Sequence, residues 1–404
     1  VRIVYLHQYF RTPSQSGGTR SYEMARRFVE AGHEVVMVTS DQDPAAGRGW
    51  RTWEIDGITV VSLAVPYDNT MSFARRLWAF FHFALLAGPK AWSLRPDVVL
   101  ATSTPLTIIV PAVVAARGRR KPLVFEVRDL WPETPIALGA LGNPVLRWLA
   151  RRLERFAYRS SQRVVALSPD MADGVVDAGY PRERIRVIPN SSDVQDFAVD
   201  PAVGAAWRSG LPWPAEDPIV LYGGTLGHVN SVGWLAELAA RTMDQSPIRY
   251  LVVGAGVEAP LIEARARELG VWEKNFLMRP PVPKREMPAL LSASSVSCSL
   301  VAPLPALEAN SANKVFDTFA AGRPVMINHR GWLAELIESS GAGLVLPHGD
   351  LDEAARLLVD FLGSSEATTS AARAAGELGR TTFDRDALAQ ELLDVLVSAA
   401  ESRP

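Results

Sequence analysis

The chain has 404 residues, 48% of them hydrophobic and 21% charged, an ordinary balance for a folded protein with material for two domains. A net charge of −2 argues against a nucleic-acid partner, and the single cysteine, Cys298, excludes an intramolecular disulfide or a thiolate metal cluster. The opening "VRIVYLHQYF" lacks the regions of a secretory signal and no apolar run reaches the ~18 residues that span a bilayer, so a cytoplasmic chain is expected.

Taken in order, "RIVYLH" reads as a strand, "RTPSQSGGT" as a glycine-bearing loop, "RSYEMARRFVEAG" as a helix and "HEVVMVTS" as the next strand. That is a βαβ unit. Strand-like runs "ITVVSL", "DVVLATS", "KPLVFEV", "RVVALS" and "IRVIPN" follow, with "VLRWLARRLERFAYRS" as a helix among them. The segment from Met71 to Trp92 is rich in Trp and Phe and carries Arg75, Arg76 and Lys90. It has two readings, a buried helix of an α/β domain or an aromatic, arginine-flanked helix in peripheral contact with a membrane.

Four prolines and weak periodicity mark 193–218 as the connection between halves. The second half repeats the opening order as "PIVLYGG", "TLGHVNS", "VGWLAELAARTM" and "IRYLVVGAG". "NFLMRPPV", "SVSCSLV", "RPVMIN" and "GLVLP" continue it, and the tail is an amphipathic helix. Short apolar strands alternating with helices predict parallel sheets covered on both faces. The expected fold is α/β, with two Rossmann-like domains facing each other across a cleft. Expected boundaries are 1–196, a linker at 197–217, 218–380, and a C-terminal helix in 381–404 that returns to the first domain.

Four stretches carry candidate chemistry. Gly17 and Gly18 follow the first strand, and Gly223, Gly224 and Gly227 follow its counterpart; such loops let backbone N–H groups approach a phosphate. "FEVRDLWPE" places Glu126, Arg128, Asp129 and Glu133 at or beyond a strand end, either as site residues or as a surface Arg–Asp pair over Trp131. In "NSANKVFDTFAAGRPV" Ser311 is a candidate N-cap, Val315, Phe316 and Phe319 face inward, and Asn313, Lys314 and Asp317 share the opposite face. A lysine at a helix N-terminus outlines an anion site; the alternative is a capped surface helix with a solvated Lys–Asp pair. Two DxD triplets, Asp41–Asp43 and Asp384–Asp386, fall in a loop and at a helix start, so neither is read as a metal site, and no histidine spacing suits a metal.

Together "SGGTRSYEMARRFVEAGHEV", "FEVRDLWPETPIALGAL", "VIPNSSD", "YGGTLG", "NKVFDTFAAGRPV" and "GAGLVLPHGD" resemble retaining GT-B glycosyltransferases of family four (group 1). They are most similar to the branch with bacterial O-antigen and capsule N-acetyl-fucosamine transferases. The resemblance implies a nucleotide-sugar donor held by the second domain, an acceptor held by the first, and retention at the anomeric carbon without metal or cofactor. It aligns Asp317 with the acid that holds the ribose hydroxyls, and puts Glu308 or Asn310 where the other motif acid is displaced. Arg128 and Asp129 stand where the family has His-Asp, so no histidine is expected to act there. His228 stands in a stretch usually basic, after Gly224 and Thr225, and Arg279 falls in the base-contacting loop. Lys314, with the N–H groups of Ser311 to Asn313 and the Gly17–Gly18 pair, would cradle the diphosphate. The expected catalytic set is Asp129, Arg128, Lys314 and Glu308, with Glu126 among the substrate ligands. The expected activity is transfer from a UDP-linked sugar to a lipid-linked saccharide at the inner face of the cell membrane. A soluble natural-product acceptor, or a non-catalytic nucleotide-sugar-binding protein, are the alternatives.

Overall fold

The computed structural model describes all residues except 16, 42, 44–46, 48, 66–70, 72, 140 and 403–404, and the side chains of 73, 74, 76 and 77. The chain divides into two compact units, 1–12 with 19–189 and 386–404, and 13–18 with 190–385.

Unit 1 opens with β1 (Arg2–Leu6), α1 (Arg20–Glu30), β2 (Glu34–Asp41), β3 (Trp50–Ile55) and β4 (Ile58–Ala64). It continues through α2 (Phe73–Ser93), β5 (Val98–Thr102), α3 (Ile109–Arg119), β6 (Leu123–Val127), α4 (Glu133–Ala137), α5 (Pro144–Ser160), β7 (Arg163–Ala166), α6 (Pro169–Asp177) and β8 (Ile185–Val187). Among the described residues its sheet runs β3-β4-β2-β1-β5-β6-β7-β8, parallel except for β3 against β4. Every residue of β5 and β6 is buried, because helices cover both faces of a parallel sheet.

The antiparallel edge strand β3 was not among the expected strands. Its pattern is mostly exposed, so periodicity alone does not mark it. The signal was the Asp56-Gly57 dipeptide, whose residues take φ +47° and +74° in the tight turn that reverses the chain into β4.

Unit 2 holds α7 (Val194–Phe197), α8 (Pro201–Arg208), β9 (Ile219–Gly223), α9 (Gly233–Thr242), β10 (Arg249–Val253), α10 (Ala259–Glu268) and β11 (Phe276–Arg279). Then come α11 (Met287–Ala293), β12 (Val296–Ser299), α12 (Asn313–Ala320), β13 (Val325–Ile327), α13 (Trp332–Ser340), β14 (Gly343–Val345), α14 (Leu351–Gly363), α15 (Ser365–Thr381) and α16 (Arg385–Glu401), whose residues from 386 on belong to unit 1. The sheet order is β11-β10-β9-β12-β13-β14, all parallel. Both units are thus Rossmann-like α/β domains, and in each the strand order reverses beside the first strand, at β1/β5 and β9/β12. Ligands in such sheets bind beyond the carboxyl ends of the strands at that reversal.

The stretch 197–217, expected as a linker, is instead folded onto unit 2. Phe197 and Trp213 join its core, and Trp213 donates to the Lys274 carbonyl at 2.8 Å. Two large aromatic side chains stabilise by roughly 1.5–3 kcal/mol each when buried, which helps to hold this stretch against unit 2. The α12 apolar face behaves as its spacing predicts: Phe316 packs on Phe319, Trp332 and Phe383, the last at 5.0 Å between ring centroids.

Candidate active site

Unit 1 gathers polar groups at the carboxyl ends of β1, β5 and β6. At their centre Glu126 is fully buried, pairs with Arg20 at 3.0 Å and accepts from Thr102 at 2.7 Å. Burial alone would raise its pKa, but Arg20, Arg128 and the Thr102 hydrogen bond outweigh it and hold the carboxyl below its usual value. Arg20 spends its remaining N–H groups on the carbonyls of Pro189 and Ile188. The expectation that Glu126 binds substrate is therefore corrected. Its oxygens are committed to neighbours inside the fold, and it ties α1 to the sheet.

Arg128 and Asp129 lie one step further out. Arg128 takes the Ser103 hydroxyl with its backbone N–H at 2.9 Å, and its guanidinium lies 3.4 Å from His7 Nε2. Asp129 accepts from Thr104 at 3.0 Å. Crowding out of water raises the Asp129 pKa, with Thr104 and Arg128 opposing. His7 is pushed well below its ordinary value by burial and by the charges of Arg128 and Arg11, so it is a neutral imidazole. The sequence predicts no histidine acting at the Arg128–Asp129 position and does not single out His7, whose ring the fold brings to 3.4 Å from Arg128. The signal was its place at the end of the first strand, where α/β sites gather. The side chain of Gln8, next along, is buried with neither amide atom hydrogen-bonded within the chain.

Unit 2 builds its cluster on the loop after β9 and the start of α12. Gly224 has φ +149°, and a Cβ there would lie 3.2 Å from Lys314 Nζ, so only glycine lets the lysine lie against this loop. Lys314 donates to the Tyr222 hydroxyl at 3.0 Å and sits 4.1 Å from the centre of that ring. Tyr222 in turn donates to the Thr225 carbonyl at 2.8 Å. Burial lowers the Lys314 ammonium to about 8. The nearby Cys298 thiol is pushed up to about 12 by burial, so it is neutral and supplies no countercharge. Among the described residues Lys314 has no carboxylate partner.

The solvated Lys314–Asp317 pair is overturned. Asp317 is buried and pairs with Lys284, while its other oxygen accepts from Ser192. Each oxygen thus has one partner inside unit 2, which fixes the orientation of this carboxylate. Lys284, in "PVPKREM", was missed because nothing local links it to a residue on another element. Ser311 is likewise not the helix cap. The cap position is Ala312, with no side-chain bond, and Ser311 turns its hydroxyl and carbonyl to Asn190. The first N–H groups of α12, at Asn313 and Lys314, are left without a side-chain cap, as an anion site requires.

The other expected residues are less unified. His228 is exposed on the same loop but pairs with Glu258 at 2.6 Å, so a carboxylate stands where phosphate charge was expected. Asn310 donates to the Leu307 carbonyl at 2.8 Å and holds a turn. Glu308 is half-buried beside that turn, and among the described residues no hydrogen bond or ion pair joins it to Lys314. Arg279 is exposed at the carboxyl end of β11, the sheet end that also carries Gly223 and Gly224. Gly17, with φ +122°, and Gly18 belong to the 13–18 segment of unit 2, and no hydrogen bond among the described residues ties them to Lys314. Of the DxD triplets, Gln42 lies outside the described residues and Asp386 pairs with Arg27 at 2.6 Å.

Residues 17–191 match the family described as Glycosyl transferase 4-like domain, and residues 217–364 match Glycosyl transferases group 1. The chain belongs to the group 1 glycosyltransferases. Solved structures with the same fold include Anabaena HepE in complex with UDP and glucose, at 17% identity and a TM-score of 0.73 over 98% of this chain and 99% of that one. Sucrose-phosphate synthase from Thermosynechococcus elongatus matches at 16% identity and a TM-score of 0.79 over 98% of both chains. WaaG, a glycosyltransferase involved in lipopolysaccharide biosynthesis, matches at 16% and 0.72, over 98% of this chain and 99% of its own. No curated protein sequence matches the chain.

Proposed function

We propose that this glycosyltransferase moves a sugar from a UDP-linked donor to a lipid-linked saccharide in cell-envelope synthesis, with retention at the anomeric carbon. Lys314 carries this reading: a half-buried ammonium without a carboxylate, against a glycine loop and an uncapped helix start. A diphosphate supplies the missing countercharge. As the sugar–phosphate bond breaks, negative charge grows on the leaving oxygen, and a preorganised cation lowers that barrier without a metal ion. UDP is favoured as the nucleotide by its presence in HepE, and the envelope acceptor by the role of WaaG. The acceptor groups are assigned to Arg128, Asp129 and His7 in unit 1, with the Asp129 carboxylate, which accepts from Thr104, as the proposed base for the acceptor proton.

Thermal shift against a panel of nucleotide sugars tests the donor. A site-specific ligand stabilises by roughly 2.7 kcal/mol at a hundredfold excess over Kd. A UDP-sugar is expected to raise Tm and to be turned over equally with and without EDTA. Absence of any shift across the panel ends the reading, and activity that EDTA abolishes and manganese restores removes Lys314 as the metal's replacement.

A further inference from the structure

Most of the strongly exposed apolar side chains fall on three helices of unit 1, with Leu261 and Val257 of unit 2 standing apart. Trp78 and Leu85, each 68% exposed, stand with Phe81, Leu86 and Trp92 on α2. The same helix buries Ala79, Phe83, Ala84, Ala87 and Ala91, so one of its faces is core and the other is exposed. On α5 the solvent face carries Val145, Trp148 (57% exposed), Leu149 and Phe156, at helical spacing. Exposed Val110 and Val114 of α3 belong to the same surface. Gly88 of α2 packs on Val114, and Arg117 of α3 reaches Ser160 of α5 at 3.1 Å, so the three helices form one continuous face of unit 1.

The charge carried by these three helices is nearly all positive, with Arg151 of α5 paired to the exposed Glu133 of α4 at 3.1 Å. The sequence places three cations on α2, two on α3 and five on α5, against a single acid, Glu154, which is buried. The chain as a whole has more acids than bases, so this segregation is local. Three of the guanidiniums lie over exposed rings: Arg119 on Trp92 at 4.2 Å, Arg152 on Trp148 at 5.1 Å and Arg117 on Phe156 at 5.6 Å. Stacking holds each guanidinium plane while leaving N–H edges for an outside acceptor. Among the described residues Arg152, Arg155 and Arg159 make no ion pair.

We infer that the α2–α3–α5 face seats on an anionic lipid surface, with Trp78, Leu85, Trp148 and Leu149 entering the interface and the arginines meeting lipid phosphates. Aromatic and leucine side chains suit the acyl boundary, and each cation near an anionic leaflet contributes about fivefold in partition. A second copy docking through the same face would bring arginines against arginines, which the bilayer's charge avoids. The inference deepens the lipid-linked acceptor reading above, since such an acceptor is met at that surface. Of the α2 cations counted from the sequence, the Arg76 side chain lies outside the described residues.

Vesicle flotation tests it, using phosphatidylcholine alone or mixed with phosphatidylglycerol. The wild-type protein is expected to float with the mixed vesicles only, and to be released by salt. The exposed-residue variants Trp148→Ser and Arg152→Glu/Arg155→Glu are expected to lose binding while keeping the wild-type Tm and its UDP response. Equal flotation with both vesicles, none with either, or unchanged binding by variants overturns the inference. So does a dimer, seen by sedimentation, that these variants dissociate. Should a variant fold poorly, the salt and lipid dependence of the wild type still decides. Vesicle binding without any UDP response would remove the donor reading alone, and the reverse would remove this one alone.

Discussion

Each unit holds a cation withdrawn from water near the carboxyl ends of its central strands, Arg20 in one and Lys314 in the other, and the two are treated oppositely. In unit 1 Arg20 has Glu126 at 3.0 Å, two carbonyls and almost no exposure. In unit 2 Lys314 has a tyrosine hydroxyl, an aromatic face and no carboxylate among the described residues. Desolvating a charge costs several kcal/mol unless a partner restores the lost hydration. The first cation is compensated inside the fold and is structural. The second is compensated only in part, as its lowered pKa records, and the remainder is available to a ligand. A buried charge is thus better judged by what it lacks than by where it lies.

The sharpest way to break this contrast is to remove one member from each pair. Arg20→Ala leaves the Glu126 carboxylate buried without its ion-pair partner, and the expected loss is about 3–5 kcal/mol of stability, read by denaturant melts. An Arg20→Ala protein with wild-type stability would mean that Glu126 is not sealed.

Lys314→Ala should do the reverse. Removing a donor aimed at developing charge costs roughly 10²–10³ in kcat, while Tm holds or rises because a desolvation cost disappears. Lys314→Arg keeps the charge but fits differently, so partial rescue is expected. Steady-state kinetics with Tm as control reads both, and wild-type kcat in Lys314→Ala would place this lysine with the structural ones.

The smallest effect sharpens the comparison through pH. A diphosphate binds the protonated ammonium, which burial has brought down to about 8. Donor affinity should therefore be full below that pH and fall as pH rises through it, by up to about tenfold per unit until the bound-state pKa is reached. Binding is accompanied by proton uptake near pH 8, measurable by calorimetry in buffers of different ionisation enthalpy. Lys314→Arg should flatten the profile, since its guanidinium does not titrate there.

Local chemistry alone determined much of this protein. Apolar runs such as "RIVYL" and "IVLYG" alternating with amphipathic helices dictate parallel sheets, because such strands must be covered on both faces. Gly224 and the polar start of α12 were legible because glycine and lysine at those points have a local physical use. The tertiary structure decided what each charged group meets. Tyr222 stands 92 residues before Lys314, Lys284 stands 33 before Asp317, and Arg20 stands 106 before Glu126. Spacing along one helix puts Lys314 and Asp317 on one face, yet their partners come from other elements, and those partners separate an open cation from a closed ion pair. Helical and strand periods are set by neighbours within a few residues, so sequence carries them. Compensation of a buried charge is set by whatever the fold brings within hydrogen-bond distance, and that is fixed only when the chain has packed.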